Sequence, residues 1–249
     1  MRTLIAGNWK MHGSMAMLAE LDAMAAAAAA DDAPEVAVFP PFTLIAAAAE
    51  RQPDLAIGGQ DCHWLEHGAH TGCIAPGMLV EAGARMVIAG HSERRADNGE
   101  TDREVRQKAE AAIAAGLHAI VCVGEGEGER TAGRAIDVVE AMLAGSLPSG
   151  GAAEQLSVAY EPVWAVGTGR TPIPDEIAEM HGAIGAVLTA ILGSEGRRVR
   201  ILYGGSVKAG NAGAILAVPG VAGLLVGGAS LTAADFVPVI KAATATRRG

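Results

Sequence analysis

Short apolar runs alternate with longer amphipathic stretches from one end of the chain to the other. The runs are Leu4–Ala6, Val36–Phe39, Leu55–Gly58, Met86–Ala89, Ala119–Val123, Val158–Tyr160, Arg200–Tyr203 and Leu224–Val226. They are apolar on both sides, as strands of a parallel sheet are when helices cover its faces. Between the runs the spacing predicts helices. Ser14 is placed to cap a helix over Met15–Ala30, and Pro34 stops its continuation. Thr101 to Ala115 reads as a helix with acidic residues in its first turn and Gly116 just past its end. Pro174-Asp175-Glu176 opens another, which runs to about Leu192 before Gly193. The Ala-rich stretches Ala25–Ala30 and Ala46–Ala49 read as small packing faces of helices, because Ala is the strongest helix former.

About eight strand–helix units result, the number that closes a (β/α)8 barrel of eight parallel strands with outer helices. The competing fold is an open doubly wound sheet, whose reversal of strand order a sequence does not display. Gly and Pro recur at unit boundaries and no segment reads as a linker, so residues 1–249 are expected to form one domain. Composition narrows the picture further. Hydrophobic residues make up 50% but aromatics only 3%, so the core must be built mainly from Ala, Val, Ile and Leu. A net charge of −9 argues against nucleic acid and anionic membrane as partners. An anionic substrate would have to be held by local groups against the average field. The 3 Cys are odd in number and too few for a disulfide scaffold, which points to a reducing compartment. The first apolar run is too short for a secretory signal, and Glu20 and Asp22 interrupt Ala16–Ala30, so no membrane span is expected. These features describe a cytoplasmic protein.

Reacting groups in such a barrel sit at the C-terminal ends of strands and in the loops that follow. Those positions hold Asn8-Trp9-Lys10, Gly90-His91-Ser92-Glu93-Arg94-Arg95, Tyr160-Glu161-Pro162, Tyr203-Gly204-Gly205-Ser206 and Val226-Gly227-Gly228-Ala229-Ser230. A single Gly pair usually marks a tight turn. Two pairs on adjacent strands, seven and eight, suit a phosphate ester, because Gly lets backbone N–H groups close around an anion. Glu161 opens a segment, Pro162-Val163-Trp164-Ala165-Val166-Gly167-Thr168-Gly169-Arg170, with an apolar lip and a Gly-containing tip. A strand-end Glu also serves to pair a cation, but this segment suits a lid that excludes water above a base. His91 fits a core position equally well; Ser92-Glu93 after it is placed to start a helical turn whose field would hold the imidazole neutral. Lys10 offers a positive charge, with Asn8 beside it. A base, a neutral donor, a cation and a phosphate grip together fit proton abstraction beside a carbonyl, through an enediolate.

In order and spacing these segments resemble the signatures of the triosephosphate isomerase family, and the resemblance spans essentially the whole chain. It implies a TIM barrel and the interconversion of dihydroxyacetone phosphate and D-glyceraldehyde 3-phosphate, a step of glycolysis and gluconeogenesis. It further implies Glu161 as the base, His91 as neutral electrophile, and Lys10 and Asn8 in contact with substrate. Backbone N–H groups of Gly167, Ser206, Gly227 and Gly228 would hold the phosphate, with Glu93 supporting the site. The family is itself the standard example of a carboxylate base beside a neutral histidine, so these roles are carried by resemblance. No cofactor and no metal is implied, since moving a proton between carbons requires no redox step. Two other readings stay in view: a barrel isomerase acting on a tetrulose phosphate, and a non-catalytic phosphate-binding barrel. Retention of Lys10, His91 and Glu161 argues against the second, and the Asn8-Trp9-Lys10 and Gly167-Thr168-Gly169 segments against the first.

The resemblance also implies a homodimer in which the loop after the third strand, Gln60 to Cys73, enters the partner subunit. Thr71 matches the family's tip residue. Cys73 stands where the family carries a carboxylate, and Ala96-Asp97-Asn98 stand where an aromatic is usual. Arg94 then lacks its expected acidic partner and is expected to turn to Glu100 of its own chain. His63, His67 and His70 lie with Cys62 and Cys73 in this loop. A polar interface loop accounts for them better than a metal site, because structural zinc prefers paired ligands at tight turn spacings.

Overall fold

Side chains alternate across a strand, and in a closed sheet one set must fill the inside while the other meets the helices. A computed structural model, which describes residues 2–148, 153–166 and 170–246, shows both sets packed. The strands are β1 (Leu4–Asn8), β2 (Glu35–Phe39), β3 (Ala56–Gly59), β4 (Met86–Ala89), β5 (His118–Val123), β6 (Leu156–Tyr160), β7 (Arg200–Tyr203) and β8 (Gly223–Val226). They pair in sequence order into a closed barrel, with β1 parallel to both β2 and β8. The expected (β/α)8 barrel is the observed one. Leu4, Ala6, Ala37, Phe39, Met86, Ile88, Ile120, Cys122, Ala159, Leu202 and Leu225 fill the interior as one cluster. Ile5, Val36, Val38, Val87, Val121, Val158 and Leu224 belong to a separate outer cluster with helix residues such as Leu21, Val105, Ile184 and Phe236. Mostly aliphatic residues build both, as the low aromatic content requires.

The boundaries show which local signals held. Thr101 caps the helix Asp102–Ala114 through a reciprocal pair: its Oγ1 accepts from Glu104 N–H, and its own N–H donates to the Glu104 carboxylate. The helix Pro174–Leu192 ends at Gly193, whose φ of 63° favours glycine. Met15–Ala30 is not one helix. Ser14 Oγ accepts from Met17 N–H at 3.4 Å, a tight 3-10 turn over Ala16–Ala19 follows, and the α-helix runs only over Glu20–Ala28. Ala propensity carries no stop signal; the chain leaves the helix because Asp32, at φ 63°, turns it toward β2. β3 begins at Ala56 because Leu55, though buried, lies in the turn before it. The stretch Pro174–Arg198 is, against the sequence expectation, long and apolar enough to cross a membrane, with a mean hydropathy of 1.4 in its most apolar window. Here Ile177, Met180, Ile184 and Leu188 are buried on its inner side, as an outer barrel helix requires.

Candidate active site

The C-terminal strand ends surround a cavity of about 310 Å³, and Asn8, Lys10, His91, Glu161, Val166, Ser206, Gly227 and Gly228 are all on its wall. Residues from five strand ends thus meet in one space, as their sequence positions predict.

Lys10 leaves β1 in a left-handed conformation, φ 54°. That geometry costs an ordinary side chain roughly 1–2 kcal/mol, so the surroundings must impose it. Asn8 Oδ1 accepts the Lys10 N–H at 3.0 Å, which leaves the Asn8 amide nitrogen as the end free to face the cavity. Lys10 Nζ is 2.5 Å from Glu93 Oε1. Trp9 is fully buried and donates its indole N–H to Ser230 O at 2.8 Å, tying this loop to the one after β8.

His91 is the N-cap of a helix, Ser92–Asn98, and its Nδ1 accepts the Glu93 N–H at 3.2 Å. Its Nε2 lies 3.0 Å from Glu161 Oε1, while Glu161 Oε2 accepts the Ser92 N–H at 2.9 Å. Both groups are buried. Burial opposes a charge on the ring, whereas the Glu161 carboxylate favours one and raises His91 above the ordinary imidazole value. The hydrogen bond to Glu161 acts in the same sense, but the Glu93 N–H at Nδ1 opposes that rise. A second ring proton would set Nδ1–H against the Glu93 N–H, so the geometry requires a bare Nδ1 and a proton on Nε2. Burial alone would raise the Glu161 carboxyl; the His91 ring, the Ser92 N–H and Lys10 hold it below the usual carboxylate range.

Glu161 follows β6 directly, and its own N–H donates to Val123 O at 2.8 Å. A Cβ on Gly124 would stand 1.7 Å from Glu161 O. Gly124→Ala should therefore displace the Glu161 backbone. We expect a stability loss of about 1–3 kcal/mol or more, with reduced turnover, read by thermal unfolding and steady-state kinetics. Unchanged melting and unchanged kcat would contradict this packing. The Gly204-Gly205 pair has a similar steric use: Cβ atoms there would meet Glu161 Cγ at 3.0 Å and the Tyr203 hydroxyl at 2.2 Å.

From the segment after Glu161, Pro162, Val163, Trp164, Ala165, Val166 and Arg170 are described; Gly167, Thr168 and Gly169 lie outside the described residues. Trp164 Nε1 donates to Glu125 Oε1 at 2.9 Å, and the Tyr160 hydroxyl donates to the same oxygen at 3.1 Å. Arg170 donates to Trp164 O at 2.8 Å. Ser206 Oγ donates to Ala165 O at 2.7 Å, joining this segment to the loop after β7. Burial raises the Glu125 carboxyl, against the pull of its hydrogen-bond donors. The sequence reading missed Glu125, Ser92 as a backbone donor, and Gln60, whose carboxamide reaches Lys10 O at 2.8 Å. Gln60 and Glu125 had a sequence signal, their places just after the third and fifth strands.

The Gln60–Cys73 loop keeps Thr71 and Cys73 exposed. The His63 ring stacks on Trp64 at 4.2 Å and on His70 at 4.3 Å, and Cys62 is buried with its thiol pushed up to about 12 by desolvation. Among the described residues no group of three or more His, Cys, Asp or Glu could hold a metal ion. Beneath the loop, Arg94 meets Glu100 at 2.5 Å, as expected, and also Asp61 at 2.9 Å. Buried Lys108 bridges the same two carboxylates at 2.7 and 2.6 Å.

The family described as triosephosphate isomerase has a model that matches residues 3–243. A triosephosphate isomerase of Ruegeria sp. (strain TM1040) is 57% identical over 248 residues, covering 98% of this chain and 99% of that protein. One from Rhodopseudomonas palustris (strain BisA53) is 56% identical over 243 residues, 96% of each. A crystal structure of triosephosphate isomerase from Bartonella henselae is similar with a TM-score of 0.91 at 43% identity, over 97% of this chain and 99% of that one. Since these similarities run from the first strand to the last helix and take in every strand end that lines the cavity, the chain belongs to the triosephosphate isomerase family, and is an isomerase.

Proposed function

We propose that this chain interconverts dihydroxyacetone phosphate and D-glyceraldehyde 3-phosphate through an enediolate in the cavity at the strand ends. One observation carries the reading: a buried carboxylate and an imidazole with a single available N–H share that cavity with Lys10 and the Gly227-Gly228 backbone. The phosphate is held by N–H groups of Ser206, Gly227 and Gly228, with Gly167 as the fourth donor expected from the sequence. The substrate carbonyl oxygen takes the place of Glu161 Oε1 beside His91 Nε2, releasing the carboxylate to act on the adjacent carbon. Glu161 removes a proton there, His91 Nε2–H donates to the developing oxyanion, and Lys10 with the Asn8 amide stabilises its charge. Glu93 holds the Lys10 ammonium in place, and residues 162–170 close over the site to exclude water. A coupled assay on dihydroxyacetone phosphate, beside one on a tetrulose phosphate, tests this. Turnover of the triose phosphate is expected; turnover of the tetrulose phosphate alone would overturn it.

We read residues 1–249 as one catalytic domain acting in the cytoplasm as a homodimer. Support for the dimer comes from exposed apolar side chains on the segment after β1 and on the Gln60–Cys73 loop: Met11 is 95% exposed, Met15 65% and Leu65 43%. Cys73 cannot make the charge-assisted bonds of a carboxylate, and Arg94 is already engaged within its own chain. Asn98 also buries less apolar surface than an aromatic, at roughly 25 cal/mol per Å². Specific activity should therefore fall on dilution, over the concentrations at which sedimentation shows monomer appearing. A chain that stays monomeric at every concentration and keeps full activity would exclude this assembly.

A further inference from the structure

We infer that Gln60 is a positioning residue for the reaction: its carboxamide locks the strained backbone from which Lys10 reaches the cavity. Lys10 is one of only two non-glycine residues with positive φ among those described, and the other, Asp32, lies in a turn remote from the site. A left-handed lysine returns to the ordinary helical or extended region unless something holds it. Its ammonium contact with Glu93 is a poor anchor for a backbone, because the two side chains are 26% and 50% exposed. The backbone itself is held at both ends. Asn8 Oδ1 takes the N–H, and Gln60 Nε2 donates to the carbonyl at 2.8 Å.

The same nitrogen donates to Phe39 O at 2.9 Å, and Phe39 O also accepts the Trp9 N–H at 3.0 Å. Gln60 follows β3, Phe39 ends β2, and Lys10 follows β1, so one amide ties together the ends of three neighbouring strands. Its orientation is fixed by chemistry. Both partners are carbonyl oxygens, so only the NH2 end fits, and both of its protons are used. A carboxylate of the same shape would set negative oxygen against two carbonyls. Gln60 is not itself among the residues on the cavity wall, so its effect on substrate passes through Lys10.

The inference rests on the reading that Lys10 contacts the substrate, and the test separates the two. Gln60→Met keeps the side-chain length and removes both donors; Gln60→Glu keeps the shape and inverts the polarity. Each is made alone and with Lys10→Met, and sedimentation and thermal unfolding establish that the variants are folded and equally associated. The readouts are kcat, KM and the calorimetric affinity for 2-phosphoglycolate, whose carboxylate imitates an enediolate beside a phosphate. Gln60→Met should weaken 2-phosphoglycolate about tenfold or more in the presence of Lys10, and Gln60→Glu at least as much. With Lys10→Met in place, the same changes should cost no more than about twofold, since residues that act through one another are not additive. Equal losses with and without Lys10 would overturn the assignment and leave Gln60 a structural residue. Unchanged 2-phosphoglycolate affinity in Lys10→Met alone would instead remove the premise that Lys10 touches the ligand, and the inference with it.

Discussion

Glu161→Asp is expected to lower kcat by a factor of about 100 or more, with KM changed much less, because a missing methylene withdraws the carboxylate by about 1 Å. The structure sharpens the reason. Both carboxylate oxygens are held, one by His91 Nε2 at 3.0 Å and the other by the Ser92 N–H at 2.9 Å. The backbone behind them is pinned to Val123 O at 2.8 Å and pressed against Gly124. It cannot advance to make up the lost length. The shorter acid keeps its charge and forfeits its reach. Steady-state kinetics on dihydroxyacetone phosphate provide the check, and an unimpaired kcat would remove Glu161 from the role of base.

The second large effect concerns His91. His91→Gln should reduce kcat by about 100-fold or more, within the range that general acid–base groups contribute. Phosphate affinity should stay nearly intact, because the proposed phosphate donors lie on the segments after β6, β7 and β8, whereas His91 follows β4. A glutamine keeps a polar side chain at the start of the helix Ser92–Asn98. It has no aromatic ring to present one bare nitrogen to the Glu93 N–H and one N–H to the reacting oxygen. Loss of affinity for an inert phosphate-bearing analogue, with turnover unchanged, would make His91 a binding residue and sink the electrophile assignment.

Legibility in the sequence followed the range of the forces involved. β4 was readable to the residue because its unbroken apolar run, Met86–Ala89, lies between Arg85 and Gly90; β7 begins instead at the charged Arg200, with the apolar Val199 before it. The helix Pro174–Leu192 was readable at both ends because Pro and Gly punctuate through their own backbones. The stretch Met15–Ala30 failed for the opposite reason: a run of Ala permits a helix everywhere and ends it nowhere. Of the candidate site, Asn8, Lys10, His91, Glu161, Ser206, Gly227 and Gly228 could be named from strand-end positions alone, and all of them line one cavity.

By itself the sequence determined about eight strand–helix units and the residue types that stand at the strand ends, and those segments taken together carried the resemblance to the family. The units follow from hydrophobic period and from turn residues, which are local properties; closure of the strands into a barrel is not, and the tertiary structure decided it. Only the tertiary structure decided that Gln60 holds the Lys10 carbonyl, that Ser92 holds the second oxygen of Glu161, and that Glu125 accepts the Trp164 indole. It also decided that Arg94 finds Asp61 as well as Glu100. Gln60 and Lys10 stand 50 residues apart, Ser92 and Glu161 69 apart, and Glu125 and Trp164 39 apart. A buried polar group must find a partner wherever closure of the barrel brings one, and no local pattern records which partner that is.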